Sequence, residues 1–303
     1  MINLLLAITC STAIALILKF GEERNCNRFV ILSLNYAMAT SISLWLVLKN
    51  NLFSCLGSLS LTSLSDQLTG NSSGVESFLT SGNSALWALV IGIPTGVLYF
   101  LGFFYYQKSV KESGVGMAGS YAKLGILIPM VFSMIFWKEF PYGLQWIGMF
   151  LALSAIVMVN LDFKSKNIFL SLKPALLLLF LSSGISEFTN KLYQRYGMLD
   201  VKNLFLFFLF GTALLISLSK IRKKPEKKEI ITGLAVGIPN FFASFFLINA
   251  LSKMPASVVF PTYSAGSIAL ICVGGAVFYK EKLSHKELVA IVLTMVALLL
   301  VYL

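Results

Sequence analysis

The sequence predicts an all-α membrane protein in which ten transmembrane helices form two inverted five-helix repeats. Three observations lead there. Hydrophobic residues make up 57% of the chain and charged ones only 12%, with a mean hydropathy of +0.83, which excludes an ordinary soluble globule. Ten stretches are long and apolar enough to span lipid. Several motifs of the first half recur in the second.

A spanning helix needs about 20 mostly apolar residues. Such stretches fall near 2–20, 29–48, 84–107, 114–137, 141–161, 172–193, 203–219, 230–251, 255–279 and 285–303. The first has neither a basic leader nor a small-residue cleavage site, so it reads as a retained helix and not a signal peptide. Most connections are short. The exception, 50–83, is rich in Ser, Gly and Asn and reads as a long exposed loop; its Asn71-Ser72-Ser73 fits a glycosylation pattern that is common by chance.

The net charge of +11 sits at the ends of the spans. The densest run, "KIRKKPEKKE" at 220–229, reads as a cytoplasmic anchor at lipid headgroups and not as a nucleic-acid patch. Cys10, Cys26, Cys55 and Cys272 show no metal or redox spacing, and the single histidine, His285, belongs to a polar loop. No P-loop, His-Glu metal motif or paired-aspartate signature is present, so no enzyme activity, cofactor or metal is expected.

The duplication is the stronger functional signal. "GIPTGVLYF" (92–100) is answered by "GIPNFFASF" (237–245), "VKESGVGMAGSY" (110–121) by "SKMPASVVFPTY" (252–263), and "FWKEFPYG" (136–143) by "FYKEKLSH" (278–285). Upstream, "LILKFGEERN" (16–25) aligns with "FTNKLYQRYG" (188–197), placing Lys19 on Lys191. The repeats are therefore 1–161, with 50–83 as an insertion, and 172–303. Five spans per repeat force opposite orientations, an arrangement in which secondary transporters place a substrate site near the midplane.

These stretches, with "PAS" at 255–257 and "KEK" at 280–282, resemble the drug/metabolite transporter superfamily, in particular its ten-helix EamA-like members. More distantly they resemble the small multidrug resistance proteins. The resemblance implies a ten-helix inverted-repeat transporter of small organic solutes that hydrolyses no ATP, with cytoplasmic termini. The small multidrug proteins carry an essential membrane glutamate eight residues before the lysine of their "KF". Here those positions hold Ser11 and Ser183. At the place of their substrate-facing tryptophan stand Tyr121 and Tyr263.

The residues most out of place in lipid are the candidate site. Glu187 lies in "SSGISEFTNKLYQ", where helical periodicity aligns it with Ser183 and Asn190. It lines a cavity, pairs locally with Lys191 four residues on, or stands in water beyond the end of the true span. Lys123, about ten residues into the fourth span, needs a partner such as Glu187 or an anionic substrate, or else snorkels. Tyr121 and Tyr263 recur at matching positions, each after a hydroxyl residue, Ser120 and Thr262. Pro94, Pro129, Pro239 and Pro261 are candidate hinges or static kinks.

The expectation is a secondary transporter of a small polar or charged metabolite, proton-coupled or an exchanger, in the cell membrane. The alternatives are a facilitative uniporter and a non-transporting scaffold or receptor. Expected partners are the solute, the bilayer and, if coupling applies, protons; no nucleic acid is expected. Sixteen Lys and Arg fall in odd-numbered connections against five in even-numbered ones, which by the positive-inside rule puts both termini outside, against the habit implied by the resemblance.

Overall fold

A lipid core offers backbone groups no hydrogen-bond partners, so spanning segments satisfy themselves as helices. A computed structural model of the chain describes residues 1–58, 64, 79–113, 121, 122, 124–160, 174–221, 224–280 and 285–302. Among them are ten α-helices and no strand: α1 Ile2–Glu23, α2 Arg28–Lys49, α3 Ser81–Ser113, α4 Leu127–Trp137, α5 Leu144–Asn160, α6 Pro174–Tyr196, α7 Lys202–Leu218, α8 Lys227–Leu251, α9 Ala256–Tyr279 and α10 His285–Tyr302. Each overlaps one expected span. Six, α1, α2, α3, α7 together with the 3₁₀ turn Leu199–Val201 before it, α8 and α9, are long and apolar enough to cross a membrane. The helices α4, α5 and α10 are shorter apolar ones. The length of α6 suffices, but its second half carries Glu187, Asn190, Lys191, Gln194 and Arg195.

Local chemistry sets the ends. The Asn27 side chain caps α2 by accepting the Phe29 N–H at 3.0 Å, and Glu226 and Glu229 form a reciprocal capping box on α8. Helices α4 and α9 both stop on a lysine in the left-handed conformation, Lys138 at φ 53° and Lys280 at φ 55°. These are the matched lysines of the repeated "KE" motif.

Two segments depart from the sequence reading. The fourth span is interrupted by a turn at Gly125 and Ile126 just before α4. Pro129 has no N–H to give the Gly125 carbonyl, so Ile128 N donates to it instead at 3.0 Å and tightens the chain to an i→i+3 turn. Pro94, Pro239 and Pro261 lie inside uninterrupted helices. The start of the expected loop is ordered as a 3₁₀ turn, Leu52–Ser58, with Leu52 buried and Phe53 edge-on to Phe207 of α7 at 5.9 Å. Asn71 lies outside the described residues.

The helices sort into two compact units, each drawing on both sequence repeats. The first comprises residues 1–16, 98–188 and 253–303. In it α5 packs along α9 and α10, and α9 also packs on α4 and α10. A Cβ on Gly148 would meet the Ala297 carbonyl at 2.9 Å, so α5 and α10 touch backbone to side. Gly266 and Gly274 seat α9 on Ile8 and Leu16 of α1. The end of α4 grips the start of α9: the Glu139 carboxylate accepts the Ala256 N–H at 2.9 Å and the Glu139 carbonyl accepts the Ser257 hydroxyl at 2.7 Å. Because Pro255 provides no side-chain cap, this distant acid serves as the N-terminal anion of α9.

The second unit comprises residues 17–97 and 189–252. Here α2 packs against α7 and α8. A Cβ on Gly237 of α8 would meet the Asn35 carbonyl of α2 at 2.6 Å and the Cβ of Met38. A Cβ on Gly92 of α3, the repeat equivalent of Gly237, would meet the Phe205 carbonyl of α7 at 3.1 Å and the Cβ of Phe208 at 2.9 Å. In each crossing the glycine abuts one carbonyl and the Cβ three residues further on. The same contact is thus made twice, α8 on α2 and α3 on α7.

Candidate functional site

Within the first unit, three helices bring polar side chains toward the Tyr263 phenol of α9. Ser11 of α1 lies within hydrogen-bonding reach of the hydroxyl, and Glu187 of α6, Tyr99 of α3 and Cys10 of α1 are near enough to act on it electrostatically. All five residues occupy the interiors of their helices, where a carboxylate is costly unless solvated or partnered. Glu187 and Tyr263 are both only partly buried. Small residues let these helices converge. A Cβ on Gly184, one turn before Glu187, would collide with the Gly125 carbonyl, and one on Gly125 would meet Gly184 N at 2.9 Å and the Phe180 carbonyl at 3.0 Å. Gly102 of α3 leaves the Ser182 and Ser183 hydroxyls each 3.8 Å from where its Cβ would stand.

Of the residues singled out from the sequence, Glu187 and Tyr263 lie within electrostatic range of each other. Ser183, one turn before Glu187, faces α3 and is partly buried, as is Tyr121. Thr262 is buried, and its hydroxyl donates to the Val258 carbonyl of its own helix at 2.7 Å. Asn190 is 0% exposed and belongs to the second unit. So does Lys191, 2% exposed, whose ammonium donates to the Gln194 side-chain carbonyl at 2.7 Å. Ser120 and Lys123 lie outside the described residues. Ser11 and Tyr99 were not among the candidates. Both signals were present: Ser11 stands where the small multidrug proteins have their glutamate, and Tyr99 ends the repeated "GIPTGVLY" stretch.

A carboxylate within electrostatic range of a phenol that also has a serine and a second phenol near it can hold or release a proton, accept hydrogen bonds from an amine or hydroxyl, and share the site with aromatic faces suited to an organic ring. Among the described residues no group of three or more His, Cys, Asp and Glu could hold a metal. A gap among α5, α9 and α10, lined by Ala155, Ala265, Cys272 and Thr294, is apolar and too narrow for water, so it is a packing defect and not a solute site.

Residues 173–303 match the EamA-like transporter family. An uncharacterized protein of Haemophilus influenzae is 23% identical over 99% of this chain and 97% of its own length. A crystal structure of a protein superposes on 99% of this chain and 94% of that one with a TM-score of 0.67 at 15% identity, a likeness of fold alone. Taken with the apolar helices, these findings make the protein an integral multi-pass membrane protein whose residues 173–303 match the EamA-like transporter family of the drug/metabolite transporter superfamily.

Proposed function

We propose that the protein is a secondary transporter of a small polar or charged organic metabolite in the cell membrane, not an enzyme, and that it works by alternating access. The observation that carries this reading is the convergence on Tyr263 of Glu187, Tyr99 and Ser11 from three other helices. An acid amid hydrogen-bonding and aromatic groups at helix mid-span suits a site that exchanges a proton for a solute. The mechanism is supported by the duplicated glycine crossing, since inverted repeats allow two access states built from one set of contacts. In this scheme Glu187 alternates between a proton and the solute, the two phenols orient the solute, and Lys123 supplies a compensating charge. Ser183, Ser120, Tyr121, Thr262 and Asn190 would contribute to the lining or to its support.

The test is flux in proteoliposomes across a panel of amino acids, sugars, nucleotide sugars and cationic drugs, with and without an imposed proton gradient. Glu187→Gln abolishes gradient-driven flux in a protein that remains folded. Undiminished flux would remove Glu187 from the mechanism, and a folded wild type that moves nothing would favour a scaffold.

A further inference from the structure

Helix α8 has a lipid-facing stripe and a packed face. Ile231, Leu234 and Ile238 are exposed, whereas Val236, Ser244 and Leu247 are buried. Asn240 lies about 200° round the helix from Ile238, on the packed side. It is nevertheless only partly buried, whereas its partner Asn35 is 6% exposed, so the packed face is open on the Asn240 side of the pair. There the Asn240 amide N–H donates to the Asn35 side-chain carbonyl of α2 at 3.0 Å. Gly237, one turn earlier, holds the two backbones together by abutting the Asn35 carbonyl.

The obvious role for such a pair is to join two helices. The repeat argues against that being its purpose. At the equivalent α3·α7 crossing, Phe205 stands for Asn35 and Thr95 for Asn240, and the Thr95 hydroxyl turns back to the Ile91 carbonyl of its own helix at 2.6 Å. The same close crossing forms there with no polar bridge. The amide pair is therefore an addition to a packing geometry that does not need it, placed where the helix face is open.

We infer that Asn35 and Asn240 form a water-reached binding site inside the second unit, one that takes an uncharged hydrogen-bonding group of a small solute, such as a hydroxyl, a carboxamide or a ring nitrogen. After their mutual bond, Asn240 retains its carbonyl and one N–H, and Asn35 retains its amide nitrogen, so the pair offers both donors and an acceptor. Both amides are neutral and cannot offset a full charge. Only the assignment of this solute as transported cargo rests on the transporter reading.

The experiment uses the full chain in membranes, with Cys10, Cys26, Cys55 and Cys272 replaced and single cysteines placed at 240 or 238. A small charged methanethiosulfonate added to the aqueous phase modifies position 240 about tenfold faster than 238, because the reactive thiolate needs water. Equal rates would overturn the site. In parallel, thermal shifts are measured with sugars, polyols, primary amides and nucleosides for wild type, Asn240→Ala and Asn35→Ala. A compound that stabilises the wild type should bind each variant about tenfold more weakly, the loss of one or two hydrogen bonds. Equal stabilisation of all three proteins, or of none, overturns the binding role. Neither readout involves flux, so failure here leaves the Glu187 mechanism untouched, and failure there leaves this site standing.

Discussion

Glu229 holds Asn27 across 202 residues of chain: its carboxylate accepts the Asn27 backbone N–H at 2.7 Å and, with its other oxygen, the Glu226 N–H at 2.8 Å. The same corner is built on the other repeat by a different residue. Ser84, the repeat equivalent of Glu229, accepts the Met198 N–H at 3.1 Å while donating to the Leu79 carbonyl at 3.0 Å. In both places the start of one helix fixes the turn between two others. Truncating a buried charged acceptor costs about 1.5–3 kcal/mol, against about 1 kcal/mol for a neutral one. Glu229→Ala is therefore expected to lower the melting temperature more than Ser84→Ala. The reverse order in detergent thermal unfolding would refute the assignment.

The Glu139 cap of α9 makes a second stability prediction. It supplies an anion and an acceptor to a helix N-terminus, a role worth about 1–2 kcal/mol. Glu139→Ala should cost that amount, and Glu139→Gln, which keeps the acceptor, less than half of it. If both variants melt with the wild type, the contact contributes nothing.

Two glycines should respond with opposite signs. Gly237→Ala drives a methyl group into the Met38 side chain and the Asn35 carbonyl and separates α8 from α2, so the variant melts lower. Gly211 sits inside α7 with only Thr40 Cγ2 near, at 3.9 Å. There Gly211→Ala gains about 0.5–1 kcal/mol of helix propensity and melts higher. Parallel melting curves decide it.

The turn before α4 predicts a link between stability and motion. Pro129→Ala restores an N–H to the Gly125 carbonyl and lets the helix run through. If the turn is a hinge, that variant is more stable and slower in flux, and Pro261→Ala, in an unbroken helix, changes flux less. A faster Pro129→Ala would show that the turn impedes movement.

Hydrophobic length and periodicity made all ten helices legible, because lipid enforces helical backbone wherever about 20 apolar residues occur. What they could not show was the break at Gly125, which depends on one missing N–H and on a glycine of another helix. Nor could they show that residues 52–58 form a turn, since that rests on Leu52 being buried and Phe53 meeting Phe207. Glu187 was legible because an acid in an apolar run is conspicuous. Asn35 and Asn240 were not, because a single small polar residue in a membrane helix is common and gains meaning only from what faces it.

Orientation is predicted from the charges once the connections are assigned to alternate sides, and contacts within each unit agree with that assignment for seven of the nine. In the second unit the α1–α2 turn meets the start of α8 through Glu229 with Asn27, and through Lys228, whose ammonium donates to the Arg24 carbonyl at 3.2 Å. These are the first and seventh connections. The sixth meets the second, with Leu79 N donating to the Tyr196 carbonyl at 3.3 Å. In the first unit Glu139 of the fourth connection meets Ala256 of the eighth, and the Tyr279 hydroxyl, at the ninth, donates to Leu16 near the first at 2.7 Å. Odd connections meet odd and even meet even, as alternate crossing requires. The odd set holds sixteen Lys and Arg and the even set five, and the bias persists without the run at 220–229, at ten against five. By the positive-inside rule the prediction is that both termini, and the connection between α2 and α3, face outward. With the native cysteines replaced, a cysteine at position 70 should react with a membrane-impermeant maleimide in intact cells and one at 225 only after lysis. Protection at 70 with labelling at 225 would invert the protein.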